Sequence, residues 1–175
     1  MHVKTQGLVL RETNYKEADK ILTVLTREGG KRTVKARGCR RKNSPLAASA
    51  QLLAWSDMTL FAYRDRLTLN EAEALELFWG VRADVEKLAL ASYFAEVTEA
   101  VAEEGRPDPA LLSLALNSLY ALDKLQRPLP LVKAAFELKL LCVAGYEPLL
   151  DACVVCGRAE PQEPRLDLAE GVLHC

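Results

Sequence analysis

Histidine is nearly missing: the 175 residues hold two, His2 and His174. Neither begins a His-x-Glu or HExxH pattern, so the zinc deaminases and zinc proteases lose their ligands and base. There is no GxxxxGK(S/T) phosphate loop, no GxGxxG and no GxSxG. The common signatures of nucleotide hydrolysis, dinucleotide binding and acyl transfer are therefore lacking. Acid pairs such as Glu103-Glu104 fall at a helix end and read as solvated, and the chain is expected not to be an enzyme. No apolar run approaches the roughly 20 residues that span a bilayer. The start, MHVKTQGLVLRE, has no long apolar core of a secretory signal. A cytoplasmic protein without a membrane partner is expected. Internal repeats and low-complexity linkers are absent too. Cysteine is sparse and odd in number, at positions 39, 142, 153, 156 and 175. In a reducing compartment such cysteines point to metal or free thiols rather than disulfides.

Charge is plentiful and uneven. Residues 1–42 carry twelve Lys/Arg against four Asp/Glu, a balance of +8, whereas residues 43–175 carry eleven against twenty, −9. The basic excess culminates in residues 27–43, REGGKRTVKARGCRRKN, with Lys31, Arg32, Lys35, Arg37, Arg40, Arg41 and Lys42. Such a run repels itself unless an anion supplies the missing charge. Thr33, Lys35 and Arg37 alternate with Val34, Ala36 and Gly38, which predicts a strand with a cationic face after a Gly-Gly turn. The alternative is a solvated edge strand that uses lysine to discourage aggregation.

Around this strand the pattern predicts four others: 3–12, 20–27, a region within 51–63, and a short 67–69. No helix long enough for a parallel crossover intervenes, so the sheet is expected to be antiparallel and closed, an OB-type barrel. Tyr15, Trp55, Phe61 and Tyr63 are available either to stack on bases or to pack the barrel. Tyr63, beside Arg64 and Arg66, is the best stacking candidate. From residue 70 the period turns helical. A short helix is expected over 71–79, capped by Asn70 or Thr68 and interrupted at Gly80. Longer ones follow: one started by Asp84, one by Asp108-Pro109, and an apolar one over 131–144 that ends at Gly145 and is placed at the bundle centre.

The tail carries Cys153-Val-Val-Cys156-Gly157 and then Cys175. A CxxC followed by glycine is a zinc-knuckle pattern, and four ligands are the norm. Cys175 begins a second pair that is cut short here, and His174 is poorly placed because adjacent residues diverge. A redox or free CxxC is the alternative. Any metal is expected to be structural Zn2+ held by Cys153, Cys156 and Cys175. Cys39, between basic residues, is either activated by them or an incidental loop cysteine. Cys142 is expected in the helical core.

With these pieces in order, the chain resembles the bacterial RecO family of recombination mediators. The resemblance rests on GLVLRETNYKEADKILTVLTREGGKRTVKARGCRRKNS, LTLNEAEALELF, DVEKLALASYFAEVTEA, and AAFELKLLCVAGYEPLLDACVVCG with GVLHC. It implies an α+β protein: an N-terminal five-stranded OB-fold barrel (1–79), an α-helical domain (80–148) and a zinc-knuckle segment (149–175). It implies binding of single- and double-stranded DNA without sequence specificity through Lys31, Arg32, Lys35, Arg37, Arg40, Arg41, Lys42, Tyr63, Arg64 and Arg66. It further implies strand annealing, nucleoid association and action with RecR and single-stranded-DNA-binding protein to load RecA. An RNA-binding OB protein and a protein–protein adaptor are the competing classes.

Overall fold

The computed structural model describes residues 1–64 and 66–175. Five strands build the first part: β1 (His2–Tyr15), β2 (Asp19–Thr26), β3 (Gly30–Ala36), β4 (Trp55–Tyr63) and β5 (Arg66–Glu76). They close into a barrel in the order β1-β2-β3-β5-β4, with β4 returning to β1. Every pairing is antiparallel except β3 with β5, which is parallel over Val34–Leu67, Lys35–Thr68 and Ala36–Leu69. Alternation explains the core. Val9, Leu22, Val24, Val34, Met58 and Leu60 turn inward and are buried; on β3 and β4 their neighbours are more exposed, whereas on β1 and β2 Leu8, Leu10 and Leu25 are buried on the other face too. The turns between β3 and β4 add Leu46 and Ala50 to this core.

Residues 71–76 of the predicted helix over 71–79 are instead the second half of β5. Met58 pairs with Ala72 and Ser56 with Ala74, so β4 supplies this backbone's hydrogen bonds. Glu, Ala and Leu are good helix formers, but propensity is worth only tenths of a kcal/mol per residue, and closing a ladder outweighs it. Thr68 and Asn70 are strand residues, not caps. The strand stops where the Glu76 carboxylate accepts from the Leu77 and Phe78 N–H groups, both at 2.9 Å. One short turn of helix, α1 (Trp79–Arg82), contains Gly80. The Arg82 guanidinium, whose pKa burial lowers, donates to the carbonyls of Leu77 and Leu52 and ties this turn to the loop before β4.

The two long helices begin as expected. Asp84 caps α2 (Val85–Val101) through the N–H groups of Glu86 and Lys87. Asp108 caps α3 (Pro109–Lys124) through that of Leu111, with proline at the start. Phe94 of α2 stacks on Phe136 at a ring distance of 4.0 Å. The next helix, α4 (Leu129–Val143), is not the bundle centre. Only a stripe of Val132, Phe136 and Leu140 is buried, and Leu131, Leu138 and Leu141 are exposed. The deep apolar packing falls on α2 and α3, where Ala91, Phe94, Leu111 and Leu119 are buried.

Residues 1–136 and 137–175 form two compact units. In the second, α4 ends at Gly145 with φ +88°. Gly145 N–H donates to the Cys142 carbonyl and Tyr146 N–H to that of Leu141, the paired bonds of a Schellman stop. Strands β6 (Leu149–Cys153), β7 (Arg165–Asp167) and β8 (Val172–His174) follow, in the order β6-β8-β7.

Candidate nucleic-acid interface and metal centre

The barrel's outer face holds a cleft of about 890 Å³. Alternate residues of neighbouring strands meet there. β3 contributes Thr33 and Lys35, β4 contributes Phe61 and Tyr63, and β5 contributes Arg66, Thr68 and Asn70, with Tyr15 and Arg37 at the ends. Three cations thus share one depression with three aromatic rings, all at least partly exposed.

Lys35 is the most constrained of the cations. Its Nζ lies 3.0 Å from Asp19 Oδ2 and 4.9 Å from the centre of the Tyr15 ring. Asp19 also accepts the Gly38 N–H at 2.8 Å. That backbone bond first, and Lys35 second, hold the Asp19 carboxyl below the usual carboxylate value. Asp19 therefore fixes both the start of the basic loop and the lysine beside it. Asp19 is the last residue of the Glu17-Ala18-Asp19 triplet and the first of β2.

The other basic residues separate. Arg32 and Arg64 line a second cleft. Lys31 turns to the end of α2: its Nζ donates to the Glu99 carbonyl at 2.9 Å, and its backbone pairs with Glu103 and Gly105. Arg40 reaches the carbonyls of Lys16 and Glu17 in the β1–β2 turn at 3.4 and 3.3 Å. Arg41 and Lys42 are exposed on the loop. Trp55 lies away from the face, with the Arg27 guanidinium 6.0 Å over its ring. Cys39 is buried, and burial pushes its thiol above the ordinary value despite Lys20 nearby. The basic loop does not activate it.

In the second unit, the Sγ atoms of Cys153, Cys156 and Cys175 lie within 4.8 Å of one another. The turn is set by Gly157 (φ +73°), whose N–H donates to the Cys153 carbonyl at 2.8 Å. The Cys156 N–H, donating to the Cys153 sulfur at 3.5 Å, is the main reason that the Cys153 thiol falls from 9.0 to about 6. Cys175 is pushed the other way by its two sulfur neighbours. Three cysteine sulfurs, each a thiolate once metal displaces its proton, are a donor set zinc prefers, with three of four positions supplied. His174 is 4.0 Å from Asp167 on the neighbouring strand.

Residues 1–78 match the family model described as "Recombination protein O N terminal", and residues 82–173 match "Recombination protein O C terminal". The chain is 38% identical over 175 residues to the DNA repair protein RecO of Alkaliphilus metalliredigens, covering all of this chain and 71% of that protein. It is 40% identical over 157 residues to that of Acetivibrio thermocellus, covering 89% and 62%. Against that of Listeria monocytogenes serovar 1/2a it is 37% identical over 154 residues, covering 88% and 60%. The chain therefore spans between 60% and 71% of the length of these relatives.

Proposed function

This chain belongs to the recombination protein O family, and on that premise we propose that it is a non-enzymatic mediator of DNA repair that holds nucleic acid on its barrel face. The observation that carries the reading is the outer cleft, where Lys35, Arg37 and Arg66 sit among Tyr15, Phe61 and Tyr63. Cations neutralise phosphates and rings stack on bases of any sequence, the combination that single-stranded nucleic acid requires. Arg40, Arg41 and Lys42 extend the charge along the loop, and Arg32 and Arg64 add guanidinium donors past the hairpin, where Lys31 is taken up by the Glu99 carbonyl. Neutralising two strands at once lowers their repulsion, so annealing of complementary strands follows. Residues 1–79 act as the nucleic-acid domain, residues 80–148 as a helical domain that docks proteins, and residues 149–175 as the knuckle.

The partners in this reading are single- and double-stranded DNA, RecR and single-stranded-DNA-binding protein, with RecA loaded in consequence, in the cytoplasm at the nucleoid. None of the helices among the described residues is long and apolar enough to cross a membrane. Zn2+ is the proposed cofactor. Cys153, Cys156 and Cys175 would hold it, and its chemistry there is to crosslink β6 to the segment after β8.

The test is an annealing and binding assay with two complementary labelled strands at rising salt. Accelerated pairing that fades with salt, together with binding of either strand, is the expected result. No binding at low salt would leave an adaptor whose cations meet a protein. Preference for RNA of the same sequence would make it an RNA-binding protein acting through the 2′-hydroxyl.

A further inference from the structure

The parallel β3–β5 ladder covers three residue pairs, and the first half of β3, from Gly30 to Thr33, lies outside it. A second cleft, of about 560 Å³, opens at this end of the barrel. Its floor is apolar: Val3, Leu60, Ala62 and Leu67. Its lining also carries two cations and two acids, Arg32, Arg64, Glu28 and Glu104. Thr33 and Leu67 line this cleft and the outer one alike, so a ridge of two side chains separates them.

The rim is held in place before any ligand arrives. The Thr5 hydroxyl donates to the Glu28 carboxylate. The Arg32 Nε donates to the Gly29 carbonyl at 3.0 Å. The Arg64 guanidinium rests 5.4 Å over the ring of Tyr63, which itself lines the outer cleft. Groups fixed in advance lose little freedom on binding.

We infer that this barrel mouth is a second subsite that takes one nucleobase from the strand lying on the outer face. The chemistry selects a base over a phosphate, because the two carboxylates offset the two guanidiniums and leave no net charge to hold an anion. A base edge carries donors and acceptors together, and here guanidinium donors and carboxylate acceptors surround an apolar floor that its ring can cover. The described lining holds no aromatic side chain, so the base is read at its edge rather than stacked. Carboxylates accept from the exocyclic amino groups of cytosine, adenine and guanine, whereas thymine offers none. The mouth therefore adds a preference for an amino-bearing base at one end of an otherwise sequence-tolerant site. This inference rests on the outer face being the strand's track.

The test uses the full chain and labelled oligo-dT of about six residues, near the span of one OB barrel, with a single dC at either end or in the middle. For the wild type, dC at one end alone raises affinity roughly tenfold, as one good base contact does. Ala62→Leu fills the mouth, and Glu28→Ala removes an acceptor carboxylate from the surface. In both, the dC gain disappears while affinity for all-dT stays within about twofold. Wild-type binding with no dC gain at either end overturns the mouth subsite and leaves the outer face standing. An equal loss for dT and dC strands in both variants also overturns it. No binding of any oligonucleotide at low salt defeats the reading of the face itself.

Discussion

Asp19 holds Lys35 at 3.0 Å while taking the Gly38 N–H on its other oxygen. A phosphate that recruits Lys35 must compete with that carboxylate. Asp19→Asn keeps an acceptor for Gly38 and removes the competing charge. Affinity for single strands should rise about two- to fivefold, within the worth of one partly screened ion pair. Asp19 titrates below the ordinary 3.8. Its stabilisation is complete above the unfolded-state value and is lost only as pH falls through the lower folded one. The difference between variant and wild type should thus be flat from pH 5 to pH 8, as read by fluorescence anisotropy.

The rings make a separate claim. Tyr63 and Phe61 are exposed by 60% and 39%, and Tyr15 by 42%, so none is needed to fill the core. Replacing Tyr63 or Phe61 by alanine should weaken single-strand binding by about 1–3 kcal/mol each. The melting temperature should hardly move. A fall in melting temperature that accounts for the binding loss would return these rings to packing.

Lys31 and Lys35 lie four residues apart on β3 and should behave as opposites. Lys31→Ala deletes the bond to the Glu99 carbonyl, costing about 1 kcal/mol of stability. Lys35→Ala should cost no more stability than one surface ion pair, about 0–1 kcal/mol, and reduce the slope of log affinity against log salt by about one. Gly30 beside them has φ +64°, and a Cβ there would overlap the Arg106 carbonyl. Gly30→Ala should therefore destabilise by at least about 2 kcal/mol in a urea melt.

Metal binding has its own signature. Co2+ added to the reduced protein should give a thiolate charge-transfer band that Cys153→Ser or Cys175→Ser abolishes. Protons compete with the ion for the Cys153 sulfur, whose thiol titrates at about 6. Because Cys175 is held above its ordinary value, apparent metal affinity should climb as pH rises toward 9 and be weakest below about 6, where Cys153 is protonated too. A band unaffected by either substitution would place the ion elsewhere.

The barrel was legible because alternation is a local signal: Thr33-Val34-Lys35-Ala36 already separates the face from the core. The helix starts at Asp84 and Asp108 and the stop at Gly145 were legible for the same reason, since a cap is a few adjacent residues. Residues 71–76 were misread because their fate depends on β4, more than ten positions earlier. The sorting of the basic run into face, mouth and α2 contact was equally invisible. It follows from Thr33 and Leu67 becoming neighbours, which spacing along the chain does not encode. Cys39 shows the limit for reactivity: its neighbours in sequence are cations, but its neighbour in energy is the core.

The three-pair parallel ladder between β3 and β5 has a consequence for folding order. It joins segments about thirty residues apart in the chain with few hydrogen bonds, and such distant pairings close late because loop entropy must be met first. The antiparallel hairpins on either side can form without it. β1 and β4 are farther apart still in the chain, so the β3–β5 stitch, which assembles the groups lining the binding face, is one of two late closures of the barrel. An incompletely folded chain offers no finished site, and a bound strand, lying across that stitch, fastens it.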